Sequence, residues 1–342
     1  MGLEVPTLHH VAKAAGVSIA TVSATINQSA FVSPELQERV RKAIAELGYH
    51  PDGIARSLKK RSTQTLGLII SDITNPFFTA LVRGIEDAAN ARGYALILCN
   101  TDERQEKERA YVRLLRSRRV DGMIMAPAGS AEDYHGFGLE VGTPFVFIDR
   151  KIPTVPADAV VVDNLGGARQ VVEYLLRLGH RRIGAITGLP QISTTHERIQ
   201  GYRQALESAG LSVDPELMRG GNSRLEGGYQ AGLALLALPE RPTAIFATNN
   251  VMAIGLMRAV AERGLRCPED LSVACFDDFE WASVFRPRLT TVAQPTYDMG
   301  MKGAELLFAR LDGSLTGDPR EIVLSPSLVI RDSCATPPQE EQ

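Results

Sequence analysis

The stretch GVSIATVSATIN, Gly16 to Asn27, decides the fold of the first sixty residues. Val17, Val22 and Ile26 fall at helical spacing, while most other positions are Ser, Thr or Ala. Such side chains neither fill a core well nor solvate a surface strongly. A helix that enters the major groove of DNA needs this face, because short side chains let its backbone approach phosphates and base edges. Hydroxyls also bond phosphate without the repulsion a carboxylate would bring.

The flanking residues fit that reading. Thr7 reads as an N-cap, followed by Leu8, Val11, Ala12 and Ala15 on one helical face, with Gly16 as the stop. Ser18 caps the quoted helix, and Val22 and Ile26 form its inward stripe. Two short helices joined by a glycine-containing turn predict a helix-turn-helix. A third helix starts at Ser33-Pro34-Glu35, is expected to bury Leu36, Val40, Ile44 and Leu47, and stops at Gly48. Charge agrees: residues 1–61 carry a net +3 and the rest of the chain −6, as a basic head with a polyanionic partner would.

The runs TLHHVAKAAGVSIATVSATIN and VSPELQERVRKAIAELGYHPDGIARSL resemble the DNA-binding headpiece of the lactose/galactose repressor (LacI/GalR) family. The resemblance implies DNA contacts from Thr7, Ser18, Ile19, Ala20, Thr21, Ser23, Ala24 and Asn27. It also implies a hinge helix within YHPDGIARSLKKRS that folds on a palindromic operator bound by a homodimer. There Leu58 would wedge into the minor groove, Ala55 would let paired hinges touch, and Arg56 would meet DNA. Three positions depart from the family pattern: Ala24 stands for a frequent arginine, His10 for an aspartate and Asp52 for an asparagine.

From Thr65 the pattern becomes alternating apolar runs and amphipathic helices, from TLGLIIS to LVIRD. Continuous apolar strands between helices predict parallel sheets covered on both faces, and two series predict two lobes. The expected fold is therefore α/β, an all-α headpiece (1–61) followed by a two-lobed body (62–342) that resembles periplasmic sugar-binding proteins. Lobe 1 is expected at about 62–160 and 293–324, and lobe 2 at about 161–292 and 325–342. Trp281 is expected to pack beside the pocket near the crossover strands.

Ligands of such sheets bind outside the carboxyl ends of the strands. Those ends carry Asn75, Phe77, Phe78, Asp149, Arg150, Thr194, Arg198, Asn249 and Asp277. Carboxylates, amides and arginine forks suit sugar hydroxyls, and an aromatic face suits a sugar ring. The resemblance implies that Arg198 and Asp277 hold the effector, helped by Asn249 and Asp149. Purine-binding members use an arginine and an aromatic where Ile192 and Ser223 stand. The expected ligand is thus a sugar, sugar acid or sugar phosphate.

Other classes find little support. No GxGxxG follows the first strand, and neither a phosphate-binding GxxxxGK[ST] loop nor a GxSxG elbow is present. No catalytic residue, metal or cofactor is therefore expected. Cys99, Cys267, Cys275 and Cys334 are scattered, as reduced thiols of a cytoplasmic protein would be. No apolar run is long enough for a membrane span, and the N-terminus does not read as a secretory signal. These features weigh against the alternative, a sugar-binding transport component without DNA binding. The tail DSCATPPQEEQ contains no apolar repeat, so assembly is expected to stop at the dimer.

Overall fold

The computed structural model describes residues 6–49, 62–130, 134 and 142–338. The hinge positions Ala55, Arg56 and Leu58 lie outside them. The chain divides into two compact units, Met1–Thr63 and Gln64–Gln342.

Among the described residues the first unit holds three helices: α1 (Leu8–Ala15), α2 (Ile19–Asn27) and α3 (Pro34–Leu47). Gly16 ends α1 at φ 62°. A Cβ there would lie 2.6 Å from the Arg39 guanidinium, which donates to Ala15 O at 2.7 Å, so α3 caps the end of α1. Ser18 Oγ accepts the Thr21 N–H at 3.0 Å. Ser33 precedes α3 but makes no capping bond with its side chain. The Thr7 N–H donates to His10 Nδ1 at 3.3 Å, so His10 supplies a reciprocal bond at the start of α1. Val11, Ala12, Ala15, Val22, Val40, Ala43 and Tyr49 form the core, with Ile44 and Leu47 half-buried against it. Leu36, expected inside, is only half-buried and lies outside this cluster because Ala43 and Tyr49 close the core instead.

The second unit contains two six-stranded sheets. The first comprises β1 (Thr65–Ile70), β2 (Ala95–Asn100), β3 (Gly122–Met125), β4 (Phe145–Asp149), β5 (Asp158–Val162) and β11 (Glu321–Leu324), in the order β11-β5-β4-β3-β1-β2. The second comprises β6 (Ile183–Thr187), β7 (Met218–Gly220), β8 (Ala244–Ala247), β9 (Ser272–Phe276), β10 (Thr290–Ala293) and β12 (Ser327–Val329), in the order β12-β10-β9-β8-β6-β7. The first is parallel throughout, while β12 runs antiparallel to β10.

Alternate side chains of each strand face different helices, which explains the unbroken apolar runs. In the first sheet Leu68, Ile70, Ile148 and Val160 pack toward α4 (Pro76–Asn90) and α10 (Thr296–Leu311). Ile69, Met123, Phe147 and Val161 pack toward α5 (Gln105–Ser117). In the second, Ala185, Phe246 and Phe276 meet α6 (Asn164–Arg177) and α7 (Ser193–Ser208). Ile186, Ile245 and Val273 meet α8 (Leu225–Leu236) and α9 (Asn250–Glu262). Gly84 and Gly300 let α4 and α10 touch backbone to backbone: a Cβ on Gly84 would sit 2.2 Å from Tyr297 O.

The chain passes between the lobes three times: at Asp163, at Gln294–Pro295 and at Ser325–Pro326. The first sheet takes in β5 through Val162, two residues beyond the expected limit at 160, because Val161 and Val162 still pair with β11. Likewise Ala293 belongs to the second sheet, where it pairs with Ser327.

Candidate DNA-reading helix and ligand cleft

The first turn of α2 is exposed at Ser18, Ile19 and Ala20, with Ile19 44% accessible. Thr7 is exposed as well, whereas Thr21, Ser23, Ala24 and Asn27 are half-buried. Several polar groups are satisfied within the helix: Ser18 Oγ lies 2.9 Å from Thr21 Oγ1, and Asn27 Nδ2 donates to Ser23 O at 2.9 Å. What α2 presents outward is therefore short, uncharged and partly apolar.

In the second unit the carboxyl ends of both sheets border one cleft. All nine body residues expected from the sequence line it: Asn75, Phe77, Phe78, Asp149, Arg150, Thr194, Arg198, Asn249 and Asp277. Asn75 and Asn249 earn their places partly as N-caps, since their Oδ1 atoms accept the Phe77 N–H at 3.0 Å and the Met252 N–H at 2.9 Å. The Phe77 and Phe78 rings meet edge to face with centroids 5.0 Å apart. Trp281, beside Phe279 and 48% exposed, does not line the cleft itself but borders an adjoining depression with Phe77 and with Gln294 and Pro295 at the second crossover, beside the pocket as expected.

Each sheet offers the cleft a carboxylate held by an arginine. Arg150 Nε donates to Asp149 at 3.0 Å, and its two terminal nitrogens fork onto Glu103 at 2.8 and 3.1 Å. Burial opposes the Arg150 charge, but Glu103 and Asp149 outweigh it and raise the guanidinium pKa above its ordinary value. On the other side Arg198 Nη1 lies 3.4 Å from Asp277 Oδ2 and donates to Thr248 O at 2.7 Å. The guanidinium also stacks 3.8 Å above the Phe276 ring. Burial raises the Asp277 carboxyl, with Arg198 and Gln294 working against the rise. Asp149 and Asp277 both hold left-handed backbone, at φ 69° and 71°, a conformation aspartate tolerates better than most residues.

The sequence reading missed Asp72, Glu103, Thr195, Arg224, Thr248 and Met252, which line the cleft as well, and did not place Ile192 and Ser223 there as ligand contacts. Asp72 and Arg224 form an ion pair joining the two lobes. They are 152 residues apart, so no local pattern announces the pair. Thr248 contributes a backbone carbonyl, which side-chain chemistry cannot announce either. The strand-end rule would have reached Asp72, which follows β1 directly after Ser71.

Residues 7–52 match the pattern of bacterial regulatory proteins of the lacI family, and residues 172–334 match the periplasmic binding protein-like domain. Over 96% of its length the chain is 36% identical to an HTH-type transcriptional repressor PurR of Vibrio vulnificus (strain CMCP6), covering 98% of that protein. The chain belongs to the LacI family. It is a ligand-responsive, DNA-binding transcriptional regulator, and its relatives are transcriptional repressors. Solved structures of the LacI family share the fold. One is a lac repressor dimer bound to operator and the anti-inducer ONPF (29% identity, TM-score 0.87, 97% of this chain and 100% of that one). Another is a complex of the transcriptional regulator CelR with cellobiose (35%, 0.72, 96% and 99%). A third is a LacI family regulator from Enterococcus faecium with bound ribose (33%, 0.71, 80% and 99%). Among the described residues no helix is long and apolar enough to cross a membrane, and no cluster of His, Cys, Asp and Glu is arranged to hold a metal.

Proposed function

We propose that this LacI-family chain is a cytoplasmic homodimeric repressor, without enzymatic activity, that binds a palindromic operator through α2. Its effector is a sugar, sugar acid or sugar phosphate bound in the cleft. The observation that carries the effector reading is the buried Arg198–Asp277 pair, 6% and 4% exposed, at the carboxyl ends of the second sheet. A guanidinium fork beside a carboxylate matches vicinal hydroxyls, which donate to one and accept from the other. Asp149, Arg150, Asn75, Thr194 and Asn249 supply further polar partners, and Phe77 and Phe78 an apolar wall.

Ile192 and Ser223 also line the cleft, so neither a cationic nor an aromatic side chain occupies those two positions. That favours a hydroxylated ligand over a flat base. The solved relatives holding cellobiose and ribose are consistent with this class. On the DNA side, Thr7, Ser18, Thr21, Ser23 and Asn27 would contact phosphates and base edges, while Ile19, Ala20 and Ala24 would pack on thymine methyls. Ala55, Arg56 and Leu58 would complete the contact from the hinge.

A thermal-shift screen of sugars, sugar acids and sugar phosphates tests the effector reading, because a ligand of the folded state raises its melting temperature by mass action. The expected hit loses its shift in Arg198→Ala, and it changes the operator affinity of the parent protein in fluorescence anisotropy. A hit whose shift survives Arg198→Ala would move the ligand out of this cleft.

A further inference from the structure

The Arg198–Asp277 pair is bonded into two of the three crossovers between the lobes. Asn164 stands immediately after the first crossover, 2% exposed, and its Oδ1 accepts from Arg198 Nε at 2.9 Å. Its Nδ2 donates to Glu197 at 2.9 Å and to Val162 O, on the far side of the crossover, at 3.3 Å. Gln294 lies within the second crossover, and its Nε2 donates to Asp277 Oδ1 at 2.5 Å. The Gln294 Oε1 atom is buried and has no partner among the described residues, so the bond to Asp277 is the one its side chain makes. The Gln294 main chain accepts the Thr296 N–H at 2.8 Å, which carries the connection into α10 and lobe 1.

We propose that Asn164 and Gln294 are positioning residues that transmit the state of the Arg198–Asp277 pair to the segments about which the lobes turn. Each amide sits in or directly beside a different crossover and holds a different member of the pair. A ligand that draws the guanidinium and carboxylate toward itself therefore pulls on both crossovers together. A rotation of the lobes conversely changes the separation of the pair. A buried amide that lost its charged partner would be left unsatisfied, so neither link can slip without cost. This inference rests on reading the cleft as the ligand site, yet the wiring exists without ligand and is testable without it.

Hydrogen exchange of the full-length, ligand-free protein reads the wiring directly. The reporting amides are Asp163, which donates to Leu324 O, and Thr296, which donates to Gln294 O. Gln294→Met should speed exchange across residues 292–298 roughly fivefold, the factor that one lost hydrogen bond implies. Asn164→Leu should do the same across 160–168, and Asn164→Asp, which keeps the acceptor for Arg198, should restore slower exchange there. Arg198→Met should speed both segments together, while strands β3 and β8 keep the parent rates. A merely structural loss would instead speed exchange throughout lobe 2. Should Arg198→Met unfold that lobe, Arg198→Lys, which keeps the charge and loses the Nε–H, decides the matter alone. Parent-like exchange in 292–298 and 160–168 for the Arg198 variants, or faster exchange confined to α7, overturns the proposal. Adding ribose or cellobiose to the parent separates the two readings. Failure of both to bind would count against the sugar effector and leave the wiring to be judged by exchange.

Discussion

The two lobes place an aspartate at the end of the equivalent strand, third in each sheet order, and neutralise it by different means. In lobe 1 Asp149 leans on the next residue, Arg150, which also grips Glu103 and Pro127 O, so the whole cluster belongs to that lobe. In lobe 2 Asp277 depends on a helix residue, Arg198, and on Gln294 from a crossover. The same backbone slot thus serves as a fixed wall on one side and as a linked contact on the other. A ligand spanning the cleft would meet rigidity from lobe 1 and responsiveness from lobe 2.

The sharpest way to break this comparison is Arg150→Met. It leaves the buried Asp149 and the half-buried Glu103 without their cation and should cost about 3 kcal/mol or more in denaturant unfolding. Next comes Glu108 in lobe 1, wholly buried and held by the Ala128 N–H at 2.6 Å and the Tyr134 hydroxyl. Burial pushes its carboxyl up to about 7, opposed by Tyr134, the Ala128 amide and Arg150, while Glu103 adds to the rise. The folded state therefore holds the proton more tightly than the unfolded chain. The stability this contributes is complete below the unfolded pKa near 4.5 and is lost as pH rises through about 7. Melting curves across that window should flatten in Glu108→Gln, with a difference of about 3 kcal/mol between its ends.

Arg198→Met should cost less than Arg150→Met, about 2 kcal/mol, because one carboxylate rather than two is stranded and Gln294 still donates to it. Asp277, already raised by burial, would rise further, so this variant should grow less stable as pH increases. Equal losses for the two arginine variants would erase the distinction between the lobes. The smallest effect belongs to the Asp72–Arg224 pair across the cleft, where Arg224 is 39% exposed. Asp72→Asn should change stability by less than about 1 kcal/mol, an effect that fades at high salt. Its sharper signature should be a wider ligand-free cleft in small-angle scattering.

How much was legible in the sequence follows the range of each interaction. Short-range chemistry was plain: Gly16 turns left-handed, Ser18 caps α2, and apolar runs become two-faced strands. The cleft was reachable too, because carboxyl ends of parallel strands must converge and the side chains there can be read off. Partnership was not legible. That Arg150 answers Glu103, 47 residues away, or that Asn164 answers Arg198, depends on how two elements approach in space. Nor did any local pattern predict that His10 would accept a backbone N–H, or that Ser33 would make no capping bond with its side chain.

The third crossing sets the order in which the molecule can be completed as it is made. β5 pairs with β11, whose strand begins 163 residues after the start of β5, and α10 covers the face of the first sheet that also packs on α4. A ribosome-bound chain ending at Ala293 would thus contain nearly all of lobe 2 but a first lobe with one open edge and one face covered by α4 without α10. Apolar side chains such as Ile148 and Leu81 would lack the cover of Met299 and Leu307 until α10 emerged. Long-range parallel pairing of this kind is slow and exposes aggregation-prone surface. The lobe encoded first is therefore finished late, and stop codons falling within the second unit before Leu324 should yield chains prone to clump rather than partial regulators.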